Sequence, residues 1–200
     1  YIQLNNLDKI EYPIIILACT LGLVLMISSY DLIIFYLGLE LQSLSLYILA
    51  SFKKNDEKST EAGLKYFVLS ALASGLLLYG FSLIYGFTGS TNFELISKNL
   101  NENNTGAVFG IVFIIVGLSF KISVVPFHMW TPDVYEGAPT SVTSFFALVP
   151  KIAGIAVFIR FMYVPFYSAI DQWQTIIVFL SIASMILGAV AAIGQSNIKR

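Results

Sequence analysis

The chain has 200 residues, 57% of them hydrophobic and only 12% charged, with mean hydropathy +0.80 and net charge −1. A soluble domain carries about 25% charged residues, so this chain has too few ionisable groups to solvate a globular surface. Near-neutrality excludes the basic footprint of a nucleic-acid binder, and a single cysteine, Cys19, excludes a disulfide framework or Fe–S ligation.

Apolar runs of about 20 residues predict an all-α, polytopic transmembrane helix bundle of about six spans. The first covers residues 11–29, and Tyr30 and Asp31 make a tight connection to the second, which runs to about residue 52. The charged KKNDEKST segment is a loop. Thr60 with Glu61 starts a third span that continues to about residue 87. Residues 88–105 are polar and form a loop with some helix. The fourth span covers residues 106–125. Pro126 then removes a backbone donor and disfavours helix at Val125, so one discontinuous helix is expected there. TPDVYEGAP is a turn region, and the fifth and sixth spans cover residues 139–163 and about 172–194.

Six spans return the chain to the side on which it begins. That side collects Lys9, Lys53, Lys54, Lys58, Lys199 and Arg200, and the other holds Lys98, with Arg160 near a helix end. The basic side is therefore the cytoplasm or matrix. Trp130 and the tyrosines are expected to include interface anchors. The first residue is tyrosine rather than methionine, so a processed, split or partial chain is expected, and no signal or transit peptide is visible.

Ionisable residues within spans are functional candidates by default. Glu40 lies mid-span in the second run, Lys65 early in the third, Lys121 late in the fourth and Lys151 centrally in the fifth. Each has a plain structural alternative. Glu40 serves as interhelical glue to Gln42 or to serines on a neighbour. Lys65 pairs with Glu61 one turn before it, or snorkels with Lys121 towards the interface. Lys151 is the hardest to explain structurally. Ser141, Ser144, Leu148 and Lys151 share one helix face, with Phe145, Val149 and Ile152 on another, which suggests a side turned to a wet interior. Pro150 beside it frees the carbonyl of Phe146 and, with Pro126, is expected to mark a helix break. A carboxylate and an ammonium about 6 Å apart, at an effective dielectric near 20, interact by roughly 3 kcal/mol, about two pKa units. A buried line of Glu40, Lys121 and Lys151 is thus a switchable proton wire. His128 is either a shuttle on it or a hydrogen-bonded interface residue. No dinucleotide fingerprint, phosphate loop, zinc motif or nucleophile elbow accompanies these charges.

FKISVVPFHMWTPDVYEGAPTSVTSFFALVPKIA closely resembles the signature region of chain 2 of the proton-pumping NADH:ubiquinone oxidoreductase family (respiratory complex I) and its bacterial counterpart, chain N. LGLELQSLSLYIL resembles the same family's glutamate-bearing helix, and STEAGLKYFVLSALASGLLLYGFSLIYGFTG and SIASMILGAVAAIGQSNIKR also match. Mrp-type antiporter subunits share the lysine-before-proline pattern more loosely. The resemblance implies an antiporter-like subunit that relays protons, driven by quinone reduction elsewhere in the complex. Glu40 resembles the family's intramembrane glutamate, Lys121 its broken-helix lysine, Lys151 its central-axis lysine and Lys65 a further lysine, with Pro126 marking the break. NADH, FMN, Fe–S clusters and ubiquinone are implied for other subunits, with no cofactor or metal in this chain. Expected partners are the other membrane-arm subunits and the lipid bilayer, with no nucleic acid. Organellar versions are resembled most, which implies the mitochondrial inner membrane, with the bacterial plasma membrane as alternative. Residues 1–200 are expected to form a single transmembrane domain: the first inverted repeat plus one helix, with the second repeat mostly absent or supplied by a separate polypeptide. A cation/proton antiporter subunit and a non-transporting scaffold are the competing readings.

Overall fold

Short polar side chains set several of the helix starts. The computed structural model describes residues 9–101 and 104–200. Among them the long helices are α1 Glu11–Ser28, α2 Leu32–Ala50, α3 Glu57–Thr88, α5 Thr105–Ile122, α7 Thr140–Tyr163 and α8 Ile170–Ile193, with α4 Phe93–Asn99 and α6 Thr131–Gly137 as short connectors. All six long helices have the length and composition to cross a membrane. Asp31, Asn92 and Asn104 accept backbone N–H bonds from the first turns of α2, α4 and α5.

Several boundaries differ from the sequence reading. The third span begins at Glu57, before Thr60, because the Asp56 carboxylate accepts the Lys58 amide at 3.1 Å. It ends when Gly89 takes φ 70°, where a Cβ would be strained. TPDVYEG is a helix, α6, with its proline in the first turn, where the missing N–H is harmless. The fourth span stops at Ile122, before Pro126, because Ser123 adopts a left-handed conformation (φ 62°, ψ 41°). Trp130 is no interface anchor: it is 3% exposed and stacks on Tyr66 with ring centroids 4.4 Å apart.

The helix does not break at Pro150: α7 continues through it, and its buried face includes Val142, Phe146, Pro150, Ala153, Val157 and Phe161. The expected polar stripe is therefore split. Ser141 bonds the Tyr12 hydroxyl at 3.0 Å, Leu148 is 59% exposed, and Lys151 lines a cavity. At the opposite end of the bundle Arg160 locks the α1–α2 turn, donating to the Ile27 carbonyl and stacking over the Tyr30 ring, 3.9 Å from its centroid.

Glycines let the helices touch backbone to backbone, the packing expected where hydrocarbon supplies no hydrophobic drive between helices. A Cβ on Gly22 would stand 2.6 Å from the Gln42 amide nitrogen and 2.7 Å from the Gly38 carbonyl, neither of which can yield. A Cβ on Gly75 meets nothing within 4 Å. Gly22→Ala is therefore expected to destabilise the bundle by about 1–3 kcal/mol. Gly75→Ala should be neutral or stabilising by about 0.5–1 kcal/mol. Denaturation of both variants in detergent checks the contrast.

Candidate functional site

The intramembrane charges sort into three groups, each built where two or more elements meet. The first surrounds Lys121. This residue lies in the last turn of α5, where the helix carbonyl end favours a cation. Its Nζ donates to Ser43 Oγ of α2 at 2.8 Å and to Ser70 Oγ of α3 at 2.6 Å. Ser43 spends its own proton on the Leu39 carbonyl at 2.7 Å, so it faces the ammonium as an acceptor. Glu40 stands one turn before Ser43, and its field reaches Lys121, but the two form no ion pair among the described residues. Its Oε1 is buried with no hydrogen-bond partner, so neither Gln42 nor a neighbouring serine satisfies that oxygen. The Tyr47 hydroxyl lies beside Ser43 and Ser70 without reaching hydrogen-bond geometry.

The helix break is held open by specific contacts. The Trp130 indole N–H donates to the Phe120 carbonyl at 3.0 Å, and the Val124 amide donates to the Ser119 carbonyl at 2.9 Å, satisfying the end of α5. The Val125 amide, which no longer continues the helix, donates to Ser184 Oγ of α8 at 3.0 Å.

The second group is Lys151 with His128. Both line a cavity of about 840 Å³ bounded by the break, α6, α7 and α8. Ser123 Oγ, His128 Nδ1 and Thr131 Oγ1 also line it, and all three are buried without a protein partner. A space of this size with several polar atoms suits water. The Lys151 ammonium sits 5.2 Å from the Tyr135 ring centroid, a cation–π arrangement. The Tyr135 hydroxyl donates at 3.4 Å to the Phe146 carbonyl that Pro150 sets free. Burial pushes the Tyr135 phenol up to about 12, which keeps it a donor. Ring contacts run without a gap from Tyr47 to Tyr66 (5.0 Å), Tyr66 to Trp130 (4.4 Å) and Trp130 to Tyr135 (6.3 Å), joining the two groups.

The third group lies at the basic end. Lys65 bonds Glu61 and Asp133, each at 2.7 Å, and so is not gathered with the other two lysines. Lys58 pairs with Glu136 at 3.0 Å, and Arg200 reaches both Asp133 and Glu136. These pairs pin α6 to the start of α3. The sequence reading missed Ser43, Tyr47 and Ser70. Helical spacing carries the signal: Glu40, Ser43 and Tyr47 fall at i, i+3 and i+7, and Tyr66 and Ser70 at i and i+4. Among the described residues no group of His, Cys, Asp and Glu is placed to hold a metal.

Comparison with known proteins bears on this arrangement. The model of the NADH:quinone oxidoreductase/Mrp antiporter transmembrane family matches residues 29–200. A relative named NADH-quinone oxidoreductase subunit N, from the bacterium Pelagibacter ubique, is 66% identical over 200 residues. The match covers 100% of this chain and 42% of that protein. A chain of respiratory complex I from Thermus thermophilus superposes with TM-score 0.82 at 34% identity, covering 96% of this chain and 41% of that one. A chain of the Mrp complex from a Dietzia species gives 0.83 at 26% identity, covering 92% and 35%.

The ionic group at the basic end is tied to pH. The hydrogen bond from Lys65 holds Asp133 below the usual carboxylate range, and that from Lys58 does the same for Glu136. Groups depressed on folding stabilise the fold above their unfolded value of about 4 and lose that contribution as pH falls through the folded one. These side chains are partly exposed, so the effect is modest. In detergent the melting temperature should hold near neutrality and decline below about pH 4. Asp133→Asn should lower the plateau and flatten the decline.

Proposed function

This chain belongs to the NADH:quinone oxidoreductase/Mrp antiporter transmembrane family, and from that membership we propose that it serves as membrane-arm subunit N of a proton-pumping NADH:quinone oxidoreductase, with Glu40, Lys121 and Lys151 as its proton relay. The 66% identity to the Pelagibacter subunit along the whole chain is the observation that carries this reading. The chain's 42% share of that relative's length fits residues 1–200 as one repeat and an added helix of an antiporter-like unit. In this role it is a multi-pass membrane protein whose partners are the bilayer and the other membrane-arm subunits. NADH oxidation, FMN, Fe–S clusters and quinone reduction belong to those other subunits, and this chain contributes proton transfer alone. The bacterial relative supports the plasma membrane over the mitochondrial inner membrane.

The chemistry of the site supports a relay. A proton carrier must be stable in both protonation states, and a lysine among neutral hydroxyls with a carboxylate nearby meets that need. Lys151 stands on the far side of the aromatic run, in a cavity polar enough to hold water, with His128 on the same wall. Lys65 sits where protons from the basic face would arrive, although its two carboxylate partners equally support a structural role. The fold likeness to the Dietzia Mrp chain supports cation/proton antiport as a second reading, at lower identity.

In the complete complex, Lys121→Ala and Glu40→Ala are expected to lower NADH-driven proton pumping about tenfold or more, equivalent to at least ~1.4 kcal/mol at the barrier. NADH oxidation by ferricyanide should stay intact. Normal pumping by both variants would sink the relay, and a sodium-dependent pH change in vesicles lacking NADH and quinone would favour antiport.

A further inference from the structure

We propose that Ser43 and Ser70 form a docking station for the Lys121 ammonium, separate from Glu40, so that the lysine alternates between a hydroxyl-bound and a carboxylate-bound position. The inference rests on the reading of Lys121 as a relay lysine and identifies two positioning residues for it. Two of the three ammonium protons are spent on the serines, and the third is open. The nearby carboxylate keeps a buried oxygen with no partner, and so does the Tyr47 hydroxyl. A buried carboxylate oxygen left unpaired is costly, so an acceptor stands waiting within the lysine's field.

The two positions differ in what they can hold. A carboxylate ion-pairs with the charged lysine; it can still accept an N–H from the neutral amine, but it has no proton to give the amine lone pair. A serine hydroxyl accepts from an ammonium and, after rotating, donates to a neutral amine. Ser43 is committed to the Leu39 carbonyl, whereas Ser70, among the described residues, makes no hydrogen bond to a carbonyl and has only the Tyr47 hydroxyl beside it as another acceptor. The station therefore serves both the N–H groups and the lone pair of Lys121, whereas the carboxylate serves the N–H groups alone. The two serines come from different helices, α2 and α3, so a small shift between those helices would release the ammonium towards Glu40.

The test uses the full-length chain in the assembled complex. In Ser43→Ala/Ser70→Ala, NADH-driven pumping should fall about tenfold, the scale of a lost hydrogen bond to a charge, with assembly and ferricyanide reduction retained. A structure of that variant by electron cryomicroscopy should show the Lys121 ammonium moved to ion-pair distance from Glu40. Ser74→Ala is the control for packing, because Ser74 is buried on the same helix with its hydroxyl unpartnered, and it should pump normally. Unchanged pumping in the double variant, with Lys121→Ala inactive, would overturn the station and leave the relay standing. A loss that Ser74→Ala reproduces, or an ammonium that stays in place without the hydroxyls, would also overturn it. Normal pumping by Lys121→Ala would remove the relay instead, and the ammonium position would still decide the station.

Discussion

A lysine ammonium inside an apolar bundle has to find acceptors, and around Lys121 three helices are arranged so that it does. The carbonyl end of α5 faces the charge because the helix stops one residue later, and α2 and α3 each contribute one serine oxygen. Those oxygens can approach only because the helices themselves approach. Gly80 and Gly110 bring α3 against α5, where a Cβ on Gly80 would stand 2.8 Å from the Gly110 carbonyl. The same economy appears at Gly22 and Gly38 between α1 and α2, the hairpin that carries Glu40.

Breaking a helix at membrane depth exposes backbone groups that hydrocarbon cannot satisfy. Here the freed groups are met by side chains from elsewhere: Trp130 on the Phe120 carbonyl, Ser184 on the Val125 amide and Tyr135 on the Phe146 carbonyl. The first and third of these are also members of the aromatic run between the two lysine groups. Trp130 thus both closes the end of α5 at the break and stands in the aromatic run between Lys121 and Lys151. Any rearrangement at the break would change both the end of α5 and the wall of the Lys151 cavity.

The ion pairs at the basic end have a different character. They are partly exposed and individually weak, but several of them converge on the seven residues of α6. Because α6 follows the break directly, holding it against α3 limits how far the segment between Ile122 and Thr131 can move.

Much of this molecule was legible in the sequence. Long apolar runs dictate six helices, since a helix alone satisfies its own backbone in lipid, and sparse charges within those runs mark Glu40, Lys121 and Lys151 as groups that need an explanation. Pro150 likewise announced a free carbonyl at Phe146. Boundaries were less legible, because the break depends on the left-handed turn at Ser123 and not on Pro126 alone, and α3 starts earlier because Asp56 caps better than Thr60. The pairing of the charges could not be read at all. A sequence shows that a carboxylate and an ammonium share a membrane, but whether they touch depends on which hydroxyls α2 and α3 offer the ammonium instead. Composition and periodicity therefore determined the helices and the candidate charges. Only tertiary packing decided that Lys121 rests on serines, that Lys65 belongs to the surface pairs and that Trp130 is buried, because hydrogen-bond partners are chosen in space among helices distant in the chain.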